Sequence, residues 1–168
     1  GQTLSCQLSI TRLDFGGVTL TGVEARAPGG TESALSAGEV DVTLAWDGPF
    51  SPRASAVSGK AVVVRVDLTG RRPLLGDLDQ AVTTFMQPSD APQALAPKLD
   101  FADITIIGET LSGQLIAKGK VTASDANAIV IEATAPAASL GLDGATVSLS
   151  GAELNAVVAG EKISAALK

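Results

Sequence analysis

Along most of this chain apolar and polar residues alternate one by one. The run from Thr3 to Ile10 puts Leu4, Cys6, Leu8 and Ile10 on one side. Beyond Gly16-Gly17 the alternation resumes at Val18-Thr19-Leu20-Thr21 and reaches Val23, and Pro28-Gly29-Gly30 supplies the turn that closes this hairpin-like section. The clearest strand follows: Val40, Val42, Leu44 and Trp46 face one way, Glu39, Asp41 and Thr43 the other, until Asp47-Gly48-Pro49 turns the chain. From Ala56 to Leu68 the apolar side collects Val62, Val64, Val66 and Leu68, with Lys60, Arg65 and Asp67 interrupting. A period of two marks strands with one dry face and one wet face. Slipping such a strand by one residue would turn its apolar row to water, so register is firmly specified.

One segment has another period. Between 73 and 87, Leu75, Leu78, Val82, Phe85 and Met86 fall three and four residues apart, which predicts one stripe of an amphipathic helix. Pro73 suits its first turn, Asp77 and Asp79 favour its N-terminal half, and Pro88 ends it. Residues 87–97 carry three prolines and read as an extended connector. The strands then resume. Leu99 and Phe101 share one parity and Ile104 and Ile106 the other, which predicts a bulge at Ala102-Asp103. Leu111, Leu115 and Val121 follow, then 128–135, 145–150 and 154–158. The expectation is a single β-rich segment over 1–168, with strands within 3–68 and 99–158, about nine in all, around one helix. Val18-Thr19-Leu20-Thr21-Gly22 resembles Ile104-Thr105-Ile106-Ile107-Gly108, 86 residues on, and Val147-Ser148-Leu149-Ser150-Gly151, a further 43 residues on. A repeat near that length would suit stacked β-layers.

Composition sharpens this picture. Hydrophobic residues make up 45% of the chain but aromatics only 3%, so Val, Leu, Ile and Ala must form the dry face. With 168 residues one domain is expected, long enough to hide roughly 70% of its unfolded surface. The net charge of −6 without a basic stripe excludes nucleic acid as a partner; Arg71-Arg72 reads as a solvated helix entry. The lone Cys6 has no disulfide or zinc partner and reads as a small buried hydrophobe. No apolar run approaches the roughly 18 residues of a membrane helix, and the opening residues do not read as a charged-then-apolar leader. The pattern in Ile163–Lys168 stops midway, which reads as a section cut from a longer protein.

Candidate chemistry is sparse. With no histidine, the commonest general base and metal ligand is missing. Ser58 and Lys60 share a strand face by period alone. Asp77 and Asp79 read as helix-start polarity, Asp100 and Asp103 as strand-edge polarity. Neither phosphate-binding loops nor calcium loops occur. The chain therefore reads as non-catalytic, with no cofactor or metal. What is left is the apolar face. A β-sandwich or β-helix would bury it, whereas a long antiparallel sheet curling without closing would leave a trough for acyl chains, each methylene worth about 0.8 kcal/mol. The residue pattern admits both.

The order of these strands resembles a known family. Thr19-Leu20-Thr21-Gly22-Val23 is followed by Gly38-Glu39-Val40-Asp41-Val42-Thr43-Leu44-Ala45-Trp46, Val57-Ser58-Gly59-Lys60-Ala61-Val62-Val63-Val64-Arg65-Val66, Pro73-Leu74-Leu75-Gly76-Asp77-Leu78-Asp79, a Pro-rich connector and Leu99-Asp100-Phe101-Ala102-Asp103-Ile104-Thr105-Ile106 with Gly113 downstream. Over roughly residues 10 to 155 this is similar to the AsmA-like superfamily of envelope proteins (AsmA, TamB and YdbH types), and to the YdbH type most closely. The resemblance implies an open, taco-like groove in a periplasmic section of an inner-membrane-anchored parent, carrying phospholipid between inner and outer membranes. It implies that Val40, Val42, Leu44, Trp46, Val62, Val64, Val66, Leu68, Ile104, Ile106 and Leu115 line the groove, and that Leu75, Leu78, Val82, Phe85 and Met86 cap or plug it. Expected partners are phospholipid acyl chains, outer-membrane proteins or lipoproteins, and further copies joined end to end through sheet edges. The alternative functions are a structural or adhesive β-module of the cell envelope and an assembly factor for outer-membrane proteins.

Overall fold

The computed structural model describes residues 5–26, 32–70, 75, 97–111, 113–125, 128–142, 145–159 and 162–167. They form eleven strands: β1 (Ser5–Asp14), β2 (Gly17–Arg26), β3 (Ser33–Trp46), β4 (Pro52–Asp67), β5 (Lys98–Thr110), β6 (Gly113–Asp125), β7 (Ala128–Ala135), β8 (Ala138–Leu142), β9 (Ala145–Leu149), β10 (Ala152–Ala159) and β11 (Lys162–Leu167). Nine of them make one sheet in the order β1-β2-β3-β4-β5-β6-β7-β10-β11, while β8 and β9 pair only with each other. The sheet is open, with β1 and β11 at its two edges.

The expectation of a wholly antiparallel sheet is corrected at one place, where β4 and β5 run parallel. The reason lies in the link between them. Thirty residues separate Asp67 from Lys98, enough for the crossover that carries the chain back to the starting end, as a parallel pair requires. The expected helix over 73–87 falls in that link and outside the described residues, apart from Leu75, which is half-buried in a turn. The strand count also grows. Counting by period two passes over β8 and β11, because both are short and rich in Ala and Ser. The proposed repeat finds no repeating unit: its copies sit in β2, in β5, and in β9 with the turn after it, with different neighbours in each case.

A line of irregularities crosses the middle of the sheet. On β2, Gly22 adopts φ 59, and on β4 Ala61 adopts φ 51. Pairing skips Gly22 opposite Gly38 between β2 and β3, and Gly38 opposite Ala61 between β3 and β4. On β5 the expected bulge appears, Ala102 and Asp103 together facing a single residue of β6. At this line the inward residues are three apart instead of two: Leu20 and Val23, Ala37 and Val40, Gly59 and Val62, Phe101 and Ile104. The register shift between Gln7 and Ser9 on β1 and the one between Phe101 and Ile104 on β5 mark where an irregular strand meets a regular one. Such features bend strands and raise local twist.

Packing is lateral. The buried cluster is Ala37, Val62 and Ile104, with Val23, Leu35, Val40, Val64, Phe101, Ile106 and Val121 packed beside it. Ala123 and Ala156 complete the buried apolar set, and no described side chain is fully buried. Contacts between described strands are those of sheet neighbours, apart from glancing ones such as β8 against β5 and β6. Two glycines shape the dry face. A Cβ on Gly59 would stand 2.8 Å from the Phe101 ring, and one on Gly108 would stand 2.5 Å from Leu68 Cδ1. Larger neighbours lie over both positions, filling hollows that a side chain would otherwise occupy.

Candidate functional site: the apolar face of the sheet

Residues opposite one another on neighbouring strands share a face, so pairing alone decides which side chains come together. Val40 lies beside Gly59, Phe101 and Val121 in one row. Ala37, Val62, Ile104, Gly119 and Ala133 make the next. Leu35, Val64, Ile106 and Ala117 follow, then Val66, Gly108 and Leu115. On the other side of Val40 runs the row Val42, Val57, Leu99 and Ala123. Leu44 and Trp46 continue it towards the end of β3, opposite Ala54 and Pro52. Leu68 reaches the same face from beyond β4, over Gly108.

All eleven residues expected on the apolar face therefore lie on one side of the sheet. Most are half-buried; Val62 and Ile104 are buried, and Trp46 is 40% exposed. Of the five residues expected to cap it, Leu78, Val82, Phe85 and Met86 lie outside the described residues. The face extends well past the expected set. Ile129, Ile131 and Ala133 on β7 and Ala152, Leu154 and Ala156 on β10 continue it through direct pairing. Strand parity identifies each of these runs, but only cross-strand register shows that they join one surface. On β1 the face carries Cys6, Ile10 and Leu13. Cys6 is exposed, which corrects its reading as a buried hydrophobe. As an edge strand, β1 has a neighbour on one side only, and among the described residues nothing lies over it.

The opposite face is polar and locally neutralised. Thr19 donates to Asp41 at 2.6 Å, Lys60 pairs with Glu39 at 2.6 Å, Arg65 with Glu32 at 3.1 Å and Lys120 with Glu132 at 2.6 Å. Lys118 donates to Thr105 at 2.7 Å, with Asp103 at 4.0 Å. Glu39 raises the Lys60 ammonium above its ordinary pKa through a hydrogen bond and its charge. That is opposite to the lowering expected of a catalytic lysine. Ser58 and Lys60 do share this face, yet the lysine nitrogen is engaged by Glu39. A shallow hollow of about 400 Å³ on this side is lined by Lys118, Lys120, Glu132, Thr134, Glu153 and Asn155 among others. Among the described residues no group of three or more His, Cys, Asp or Glu could hold a metal ion.

The arrangement can thus do one thing on a large scale. It presents a continuous aliphatic surface, floored by Gly and Ala and walled by Val, Ile and Leu, with its charges turned to the other side. No protein-family model, curated protein or solved structure matches this chain.

Proposed function

We propose that this chain is a non-catalytic section of a periplasmic bridge whose curled sheet carries phospholipid acyl chains between the inner and outer membranes, its parent protein anchored in the inner one. The observation that carries this reading is the apolar face, continuous across eight strands and packed sideways rather than against a second described layer. An aliphatic surface left to water is costly, at roughly 25 cal/mol per Å²; acyl chains offset that cost in the way core side chains would. The small floor residues leave space for them, and the line of irregular positions across β2 to β5 favours the curl that a trough needs. The resemblance in strand order to the YdbH type of AsmA-like protein agrees with this assignment and supplies its cellular setting.

Site-specific photocrosslinking in cells tests it. Probes at Leu44 and Val64 on the apolar face should capture phospholipid, while a probe at Thr43 on the opposite parity should not. Absence of lipid at both apolar positions would remove the proposal and leave a structural β-module of the envelope. A second reading is favoured by the edge strand β1, whose residues are all exposed along its ten-residue length. An assembly factor would pair such an edge with client outer-membrane strands, and probes at Leu8 and Ile10 would then capture β-barrel proteins.

A further inference from the structure

Aromatic residues are scarce in this chain, with four Phe, one Trp and no Tyr, yet three of the five lie at one end of the sheet. Phe15 occupies the β1–β2 turn, Trp46 ends β3, and Phe50 sits in the β3–β4 turn. The Trp46 and Phe15 rings lie 5.7 Å apart at 51°, and the indole Nε1 donates to the Phe15 carbonyl at 2.7 Å. Leu44 N donates to Gly16 O at 3.0 Å, and the second turn is closed by Asp47 N to Ser51 O at 3.2 Å and Ser51 N to Gly48 O at 3.3 Å. This end is thus a built, cross-linked tip. Even so, its apolar parts point outward: Phe15 is 83% exposed, Phe50 94% and Leu13 71%.

We infer that this tip is a membrane-docking device which inserts Phe15 and Phe50 into the interfacial region of a phospholipid bilayer. The inference rests on the lipid-carrying reading for its purpose, since it names the end of the sheet at which lipid would pass between trough and membrane. Three features select a bilayer over a protein surface. The tip is made of two short turns whose phenyl rings are largely exposed, so it fits a soft boundary better than a preformed pocket. Its polar requirements are met internally, because the indole N–H is bound within the tip and the flanking charges pair locally, Arg12 with Asp14 at 2.7 Å and Arg53 with Asp47 at 2.8 Å. That neutrality suits a zwitterionic headgroup layer rather than a charged partner. Lastly, Trp and Phe at the boundary of an apolar surface are the side chains that settle at a membrane interface, and Trp46 continues the row of Val42 and Leu44 directly into the tip.

The test is flotation of the 168-residue chain with phosphatidylcholine vesicles, read alongside Trp46 fluorescence, which is unambiguous because the chain has one tryptophan. The native chain should float, with blue-shifted emission that brominated phosphatidylcholine quenches. Phe15→Ser with Phe50→Ser should weaken partitioning by about tenfold or more while leaving the circular dichroism of the sheet unchanged. Leu111→Ser, an exposed leucine at the opposite end of the sheet, should leave partitioning intact. Native protein that stays unbound overturns the inference, as does a tip variant that floats like the native chain or a Leu111 variant that loses as much. A native chain that sediments as a dimer, dissociated by the tip substitutions and indifferent to vesicles, overturns it in favour of a contact between copies. Lipid crosslinks at Val64 without flotation would sink the tip alone; flotation without those crosslinks would sink the trough alone.

Discussion

Replacing Ile104 with alanine measures whether the apolar face is open. Ile104 is 8% exposed, flanked by Val62 on β4 and Gly119 on β6. The substitution removes three side-chain carbons. At about 0.8 kcal/mol per buried carbon, the lost transfer free energy is about 2.4 kcal/mol. In a closed core a second cost is added, because neighbours on every side hold open the void that is left, and such changes reach about 5 kcal/mol. Among the described residues the neighbours of Ile104 stand beside it rather than above it, so the gap should open outward and the second cost should be small. The expected loss is therefore about 2 to 2.5 kcal/mol, read from urea unfolding of the purified chain by the shift in midpoint at unchanged slope. A loss of about 4 kcal/mol or more would refute the reasoning, since it would require a layer packed over the face. Val62→Ala, which removes two carbons, should fall near 1.6 kcal/mol on the same basis.

Other outcomes follow from single positions. Gly59→Ala should destabilise by about 1–3 kcal/mol, because its Cβ would meet the Phe101 ring at 2.8 Å and Val62 Cγ2 at 3.2 Å; in a Phe101→Ala background most of the added cost should disappear in the same urea assay. Ala61 holds φ 51, so Ala61→Gly should stabilise by about 0.5–1 kcal/mol once glycine's greater unfolded freedom is set against the relieved strain, and a loss of stability would contradict the left-handed assignment. Asp14 is lowered from 3.8 to about 2, first by its hydrogen bond from Arg12 and then by the Gly16 amide. A depressed carboxylate stabilises the fold fully above the unfolded value and loses that contribution as pH falls through the folded one. The carboxyl carbon of Asp14 should accordingly titrate near pH 2 by NMR and return towards 3.8 in Arg12→Ala. Cys6 should react with a maleimide in the native state as fast as in urea, and protection would show that β1 is covered.

Much of the sheet could be read from the residues. Val40 to Trp46 and Val62 to Val66 fell on shared faces because alternation is undisturbed within each run, and Asp47-Gly48-Pro49 announced its turn. The bulge at Ala102-Asp103 was legible as a change of parity between Phe101 and Ile104. The same signal at Gly38 was missed: Leu35 and Ala37 are odd and Val40 and Val42 even, so a period-two count starts the strand at Gly38 instead of Ser33. A bulge is visible to such counting only when strong apolar residues flank it on both sides, and Ala37 is too small to weigh. The parallel pairing of β4 with β5 depends on where a thirty-residue link returns the chain, which no local pattern records. Exposure of Cys6 depends on β1 being an edge, again a property of the assembled sheet.

That parallel seam also governs the order of events in folding. On one side of it stands the β1–β4 meander, on the other the strands from β5 onward, and most neighbouring strands within each are joined by links of two to six residues. Hairpins of that kind close in microseconds. Bringing β5 against β4 requires closure of a link about seven times longer, an entropic handicap of roughly 1.8 kcal/mol, or about a twentyfold delay for an otherwise equal encounter. Each half can acquire its own ladder before the two meet, so the seam is zipped last, from two preformed ribbons. The chain would then show a fast phase reporting local pairing and a slower one reporting the join, with substitutions at Val64 or Ile106, which pair across the seam, slowing the second more than the first.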